Sequence, residues 1–129
     1  MTEFRTKFPQ RAGVSRIWHA GIYSLRGLAI AWQGQAAFRQ EALLAMVMIP
    51  AAFWLTEDAV ERILLLGSVV LVLIIELCNS AIEAVVDRVG SELHPLSGAA
   101  KDMGSAAVLL SLLLMLLVWA LIALQRVGA

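Results

Sequence analysis

The sequence predicts an all-α membrane protein, an amphipathic surface helix followed by three transmembrane helices, and three observations predict it. Of its 129 residues 60% are hydrophobic and 16% charged, with a mean hydropathy of +0.82. One stretch, Met103 to Leu124, runs 22 residues without a charge. The polar residues that interrupt the middle of the chain recur at helical spacing. A soluble domain of this size leaves roughly a third of its chain surface in water, which so apolar a composition does not tolerate. A disordered chain is excluded on the same ground. A single cysteine, Cys78, excludes a disulfide scaffold. Ten basic residues balance ten acidic ones, so no basic excess points to nucleic acid, and none is expected as a partner.

The first fifteen residues carry no apolar periodicity and read as a flexible N-terminal segment; they lack the compact apolar core of a signal peptide. From about 16 to 33, Ile17, Ile22, Leu25, Leu28 and Trp32 alternate at helical spacing with Arg16, His19, Tyr23 and Arg26. That pattern is an amphipathic helix lying on a membrane surface. Gly21 and Gly27 lower its intrinsic helicity, so lipid or neighbouring helices must support it. A first span is expected over about 35–55, kinked at Pro50. A second runs over about 62–88: thirteen apolar residues, Ile63 to Ile75, continue past Glu76 with one polar stripe. The third, about 98–125, contains the uncharged run and is long enough to cross a bilayer. Residues 16–129 thus read as one membrane domain. Arg5, Lys7, Arg11, Arg16, Arg26, Arg39, Arg88 and Lys101 fall on one side of these spans, and only Arg62 and Arg126 on the other. The bias places the N-terminus in the cytoplasm and the C-terminus outside.

Glu76, Asn79, Ser80, Glu83 and Asp87 share one narrow face of the second span. Carboxylates in a membrane helix are expensive and mark function more often than packing. Asn79 and Ser80 alone would suit a packing seam. Glu76 and Glu83 do not, because no Lys or Arg within the spans stands ready to pair with them. Glu76 closes the apolar run and so sits at acyl-chain depth, with Glu83 roughly 10 Å nearer the cytoplasm and Asp87 about 6 Å beyond it. Such a ladder joins a membrane-embedded group to a water-soluble one. The deep carboxylate can take a proton from a lipid hydroxyl, and the shallow one can hold a divalent cation carrying a phosphate.

The connection from Arg88 to Asp102 leads into the third span from the cytoplasm. Pro95 is tolerated in a first helical turn, and Ser97 is a plausible N-cap. The free N–H groups of that helix start, with Lys101, favour a phosphate; an ordinary capped start with a snorkelling lysine reads equally well. No GxxxxGK[ST] loop and no HRD or DFG set is present.

Glu76-Leu77-Cys78-Asn79-Ser80-Ala81-Ile82-Glu83, continued through Asp87-Arg88, Gly90-Ser91-Glu92 and Ala100-Lys101-Asp102-Met103-Gly104-Ser105-Ala106-Ala107, resembles the small bacterial integral-membrane diacylglycerol kinases. The family signature E-x-x-N-[ST]-[AS]-[IL]-E is matched in full, and weaker likeness extends over about 110 residues. The resemblance implies a multi-pass protein of the bacterial inner membrane, a homotrimeric bundle with active sites shared between subunits. It implies phosphoryl transfer from ATP, with Mg2+, to diacylglycerol, giving phosphatidic acid. It makes Glu76 the general base and places Asn79 in the catalytic cluster. Glu83 becomes a metal and nucleotide ligand, while the role of Asp87 stays open. Arg16 and Tyr23 match nucleotide contacts, as do Glu92, Leu93 and His94 in the loop, with Lys101 and Asp102 on the phosphate side. Lipid-groove positions, with Glu76 at their head, fall on Ala20, Gly21, Ile22, Tyr23, Ser24 and Leu25, then Ala29, Ile30, Ala31 and Trp32. They continue on Ala37, Phe38, Arg39, Gln40 and Glu41, on Trp54, Leu55, Thr56, Glu57 and Arg62, and on Ser105. The last of them are Trp119, Ala120, Leu121, Ile122, Ala123 and Leu124.

One position departs from the family. Gln35 stands where a second metal-binding glutamate of the ATP site is usual. A Gln carbonyl ligates a hard cation without adding charge, and Glu41 or a phosphate oxygen could compensate. Two other readings compete. An undecaprenol kinase shares the architecture and the signature, although the Glu83-to-Arg88 and Lys101-to-Ala107 stretches look closer to the diacylglycerol type. A small proton-coupled multidrug exporter would also use an intramembrane Glu, but it needs neither the cytoplasmic carboxylate nor the Lys101-Asp102 pair.

Overall fold

The computed structural model describes residues 12–90 and 92–128. The expected flexible segment therefore lies, in its first eleven residues, outside the described part. Four helices follow in order: α1 Val14–Gly34, α2 Ala36–Leu55, α3 Ala59–Val89 and α4 Pro95–Val127. No strand occurs among the described residues. Three of the helices, α2, α3 and α4, are long and apolar enough to cross a membrane. At 31 and 33 residues, α3 and α4 measure about 46 and 50 Å, longer than the ~30 Å hydrocarbon core. Their ends must therefore stand clear of the hydrocarbon, and those ends carry the charges.

α3 is the central helix, packed along both α2 and α4. Ala45 of α2, Val69 and Val72 of α3 and Met115 of α4 form one buried cluster, with Met48, Leu73, Leu112 and Trp119 around it. Ala52, Leu65 and Ile122 form a second, in which Ala52 and Leu65 are wholly enclosed. The small residues on α2 let its backbone approach α3 closely, the usual source of helix association in lipid. The Trp119 indole N–H donates to the Leu65 carbonyl at 3.2 Å, pinning α4 to α3. Most large side chains outside these clusters stay exposed on the single chain.

Each helix junction has an identifiable cause. Gln35 leaves the helical region at φ −122° and ψ 105°, separating α1 from α2. The Arg39 guanidinium reaches back and donates to the Trp32 and Gln33 carbonyls at 2.8 and 3.1 Å, satisfying acceptors that the end of α1 leaves open. α2 passes through Pro50 without ending. Between α2 and α3, Asp58 caps α3 by accepting from the Glu61 N–H at 2.9 Å. Arg62 donates to the Thr56 and Phe53 carbonyls and lies over the Phe53 ring at 4.9 Å. Arg126, at the far end of α4, pairs with Glu61 at 2.7 Å, and the Thr56 hydroxyl donates to the same carboxylate.

The start of α4 corrects one expectation. The N-cap is His94, not Ser97: its Nδ1 accepts from the Leu96 N–H at 3.1 Å, and Pro95 occupies the first turn. Proline's fixed φ starts the helix as soon as a side-chain acceptor precedes it, so the cap falls three residues before the serine.

Candidate active site

The stripe on α3 is a single file. Glu76 is 5% exposed and Asn79 9%, Glu83 is half-buried, and Asp87 is exposed. The file thus passes from enclosed to open toward the α3–α4 loop. The Asn79 amide N–H donates to Glu83 Oε1 at 3.4 Å, tying the buried amide between the two carboxylates to the shallow one. Neither Glu76 nor Glu83 has an ion-pair partner among the described residues.

Neighbouring helices complete the file. Glu41 on α2 lies within electrostatic reach of Glu76, which in turn feels Glu83. Gly104 on α4 backs onto Asn79, and a Cβ at that position would land on Asn79 Oδ1. Only glycine lets α4 approach so closely. Three buried polar atoms here have no hydrogen-bond partner: Glu41 Oε2, Asn79 Oδ1 and Ser80 Oγ. Unpartnered buried polar atoms are costly and rare, and they concentrate where a structure awaits a ligand, water or ion.

Two grooves open beside the file. One of about 430 Å3 lies between the end of α3 and the start of α4; its walls include Asp87, Glu92, Leu93, His94 and Lys101. The Lys101 ammonium crosses it to Asp87 Oδ1 at 2.7 Å. The other, of about 560 Å3, lies between α1 and α3. Ser24, Gly27, Leu28, Ile30, Ala31 and Gln35 form one wall, and Leu77, Ser80, Ala81 and Ala84 the other.

The residues singled out from sequence therefore separate into three groups. Glu76, Asn79, Glu83 and Glu41 come together on α2 and α3. Glu92, Leu93, His94 and Lys101 share the loop groove, while Asp102 is exposed and outside its walls. Ser24, Ile30, Ala31 and Gln35 line the α1 groove. Elsewhere on α1, Arg16, Ala20, Gly21, Leu25, Ala29 and Trp32 are exposed and Ile22 is half-buried. Tyr23 is exposed too, under the Arg26 guanidinium at 5.9 Å. Ala37, Gln40 and Ser105 are exposed, whereas Phe38 is buried. The remainder lies at the other end of the bundle, with Arg62 about 21 Å from Glu76 along α3. There Thr56 and Arg62 build the α2–α3 turn and Ile122 is in the core. Trp119 is tied to Leu65, Leu55 and Ala123 are half-buried, and Trp54, Glu57, Ala120, Leu121 and Leu124 are exposed.

The donor set suits Mg2+ as carried by a nucleotide. Glu83 has a carboxylate oxygen without a hydrogen-bond partner among the described residues, and hard oxygen donors are what Mg2+ takes. Among the described residues no three acidic, His or Cys side chains close around one point. A cation held there would take its remaining ligands from water and phosphate oxygens, as Mg2+ usually does at nucleotide sites. Gln35 lines the α1–α3 groove across from Ser80 and Ala84 and is not a wall of the loop groove beside Asp87 and Lys101.

Sequence reasoning left three features unread. The approach of Glu41 to Glu76 and the notch at Gly104 depend on how helices pack, and no local pattern encodes either. The strap from Arg39 to the end of α1 had a weak signal, a basic residue one turn into α2.

The profile of the family Prokaryotic diacylglycerol kinase matches residues 22–123. The diacylglycerol kinase of Escherichia coli (strain K12) is 51% identical over 116 residues, covering 90% of this chain and 95% of that protein. The diacylglycerol kinase of Pseudomonas aeruginosa PAO1 is 51% identical over 115 residues, covering 89% and 94%. That of Helicobacter pylori J99 is 42% identical over 119 residues, covering 92% of each. With the profile spanning residues 22–123 and relatives about half identical over nine-tenths of the chain, this protein belongs to the prokaryotic diacylglycerol kinase family.

Proposed function

We propose that the chain phosphorylates diacylglycerol at the membrane surface, using ATP and producing phosphatidic acid and ADP. The observation that carries this reading is the file from enclosed Glu76 through Asn79 to half-buried Glu83, ending at a groove that holds Lys101. It links lipid depth to water within one helix, and the names of the relatives supply the acceptor.

In this reading Glu76 takes the proton of the lipid hydroxyl, whose oxygen attacks the γ-phosphorus. The bond from the γ-phosphorus to the β–γ bridging oxygen breaks, and ADP leaves with the electron pair. Asn79 orients the two carboxylates. Glu83 would hold Mg2+, with Gln35 as a neutral second donor; the bound cation would offset charge on the phosphates. Lys101 and Asp102, with Glu92, Leu93 and His94, meet the nucleotide, and Arg16 and Tyr23 approach it from α1. The α1–α3 groove and the residues of α2 around Glu41 face the acyl chain, whose tail runs toward the far-end positions. Residues 16–129 form the membrane domain, in the inner membrane of the cell with the N-terminus cytoplasmic. The protein works as a homotrimer with shared sites. In support, Ile17, Trp18, Leu25 and Ile30 of α1 stay exposed on the single chain, an apolar face that membrane or a neighbouring subunit would cover.

The test is ADP release by the purified protein in mixed micelles with diacylglycerol, with undecaprenol and without acceptor. Diacylglycerol-dependent release, lost by about 10²–10⁴-fold in Glu76→Gln with helix content unchanged, is the expected result. Preference for undecaprenol would reassign the acceptor. Release indifferent to either lipid, or wild-type turnover in Glu76→Gln, would remove the mechanism.

A further inference from the structure

We propose that Asp87 is a positioning residue: it holds the Lys101 ammonium over the loop groove, on the Glu83 side, where the terminal phosphates of ATP arrive. The inference rests on the kinase reading above and assigns a role within that site. Lys101 stands two residues before the uncharged run that begins at Met103. A lysine so placed ordinarily lays its stem along the helix and sends its ammonium out to headgroups and water. Here the ammonium turns across the groove instead, to Asp87 Oδ1 at 2.7 Å, fourteen residues back in the chain at the end of α3. Asp87 lies one helical turn beyond Glu83 on the same stripe, and Lys101 is within electrostatic reach of Glu83. Asp87 is its one hydrogen-bonding partner among the described residues.

Stability does not account for this pair. Both side chains are well exposed, at 44% and 66%, and exposed ion pairs contribute little to folding. The α3–α4 connection already has the His94 cap and Pro95. What the pair sets is a direction. A lysine stem has four rotatable bonds, and the carboxylate selects among its rotamers the one that faces the groove. A polyphosphate entering the groove carries more charge than a carboxylate and takes the ammonium over from Asp87 with little movement of the stem. Glu92, the other acidic wall of the groove, disfavours an anion there, so the placement of the lysine matters more.

The experiment measures kinetics and nucleotide affinity of full-length Asp87→Asn, Asp87→Glu, Lys101→Met and the Asp87→Asn/Lys101→Met double variant in mixed micelles. Affinity is read by equilibrium dialysis of a non-hydrolysable ATP analogue with Mg2+, so that inactive variants still report. Asp87→Asn should raise KM for MgATP and weaken analogue binding about 2- to 5-fold, the range open to one exposed charge pair. The KM for diacylglycerol and the thermal midpoint should stay at wild-type values. Asp87→Glu should recover most of the loss, and in the Lys101→Met background Asp87→Asn should cost nothing further. Wild-type affinity in Asp87→Asn alongside weakened binding in Lys101→Met would overturn the positioning role and leave the kinase reading standing. So would an Asp87→Asn penalty that persists undiminished without the lysine. Unchanged affinity in Lys101→Met would instead overturn the nucleotide role of Lys101 itself.

Discussion

At the scale of single residues, the site depends on one absence and one substitution. The absence is the side chain of Gly104. Because a Cβ there would meet Asn79 Oδ1, Gly104→Ala forces the Asn79 amide to turn, and its bond to Glu83 goes with it. Overpacking of this kind costs about 1–3 kcal/mol. We expect Gly104→Ala to lower the thermal midpoint in detergent and to reduce kcat about tenfold, a drop of 1.4 kcal/mol in transition-state stabilisation. Turnover at the wild-type level would show that Asn79 does not need the notch. The substitution is Gln35. Cation affinity tracks the number of charged ligands, and Glu83 is the anionic ligand the chain is proposed to supply. Gln35→Glu should lower the Mg2+ concentration giving half-maximal rate and leave the lipid KM nearly unchanged. Gln35 faces Ser80 and Ala84, so the glutamate must reach round α3 to share the cation. Superimposable Mg2+ titrations of the two proteins would place residue 35 outside the metal shell.

At the scale of helices, each end of the bundle has its own task, and α3 is long enough to keep them apart. The end at the α3–α4 loop carries Glu83, Asp87 and Lys101; the other end is closed by a charge network. There Glu61 takes hydrogen bonds from Thr56 and Arg126, and Arg62 holds the last carbonyls of α2. Arg126→Ala removes the cross-link between α4 and the α2–α3 turn. Since the Arg126 side chain is 41% exposed, the loss should be modest, about 1 kcal/mol or less, seen as a lowered thermal midpoint. KM for MgATP should not move, because the helix carries no charge change to the other end; a raised nucleotide KM would mean that the two ends are coupled. This division explains what could be read in advance. The spans and the stripe were legible, because hydropathy and a 3.6-residue period are local properties that Ile63–Ile75 and Glu76–Asp87 display in their own sequence. The α1–α2 break at Gln35 was legible only approximately. The cap of α4 was misplaced because Ser97 is the commoner capping residue, and the pairing of His94 Nδ1 with the Leu96 N–H depends on loop geometry. Contacts between helices, Glu41 with Glu76 and Lys101 with Asp87, were not legible at all, since the register of one helix on another is set by the packing of Ala45, Ala52, Leu65 and Gly104.

At the scale of the whole molecule, the single chain is chemically incomplete in two ways that point to the same remedy. Its spans leave most of their large apolar side chains exposed, among them Val70 and Ile74 on α3, the helix that is most enclosed. The groups proposed for its chemistry are also dispersed. Glu76, Asn79 and Glu83 lie on α3, Lys101 on α4, and Arg16 and Tyr23 on α1, exposed and without contact to the stripe. A surface helix whose nucleotide-side residues do not reach their own stripe can serve the stripe of a neighbouring subunit. That arrangement has a measurable signature. Glu76→Gln should be inactive through loss of the base, and Arg16→Ala/Tyr23→Phe should be weak through loss of nucleotide contacts, each in every site of its own homo-oligomer. Chains of the two kinds, dissociated in denaturing detergent, mixed and reassembled, form sites of several compositions. If α1 serves a neighbour, some sites pair an intact stripe from one chain with an intact α1 from the other, and activity rises above that of either parent. With random mixing of equal amounts, about a quarter of two-subunit sites should be wholly intact, because each half is drawn independently. If each site is closed within one chain, no mixed site is intact, and the mixture shows only the average of its parents. Reassembly itself is checked by size and by recovery of wild-type chains through the same cycle, so that a flat result with full wild-type recovery rules out sharing through α1.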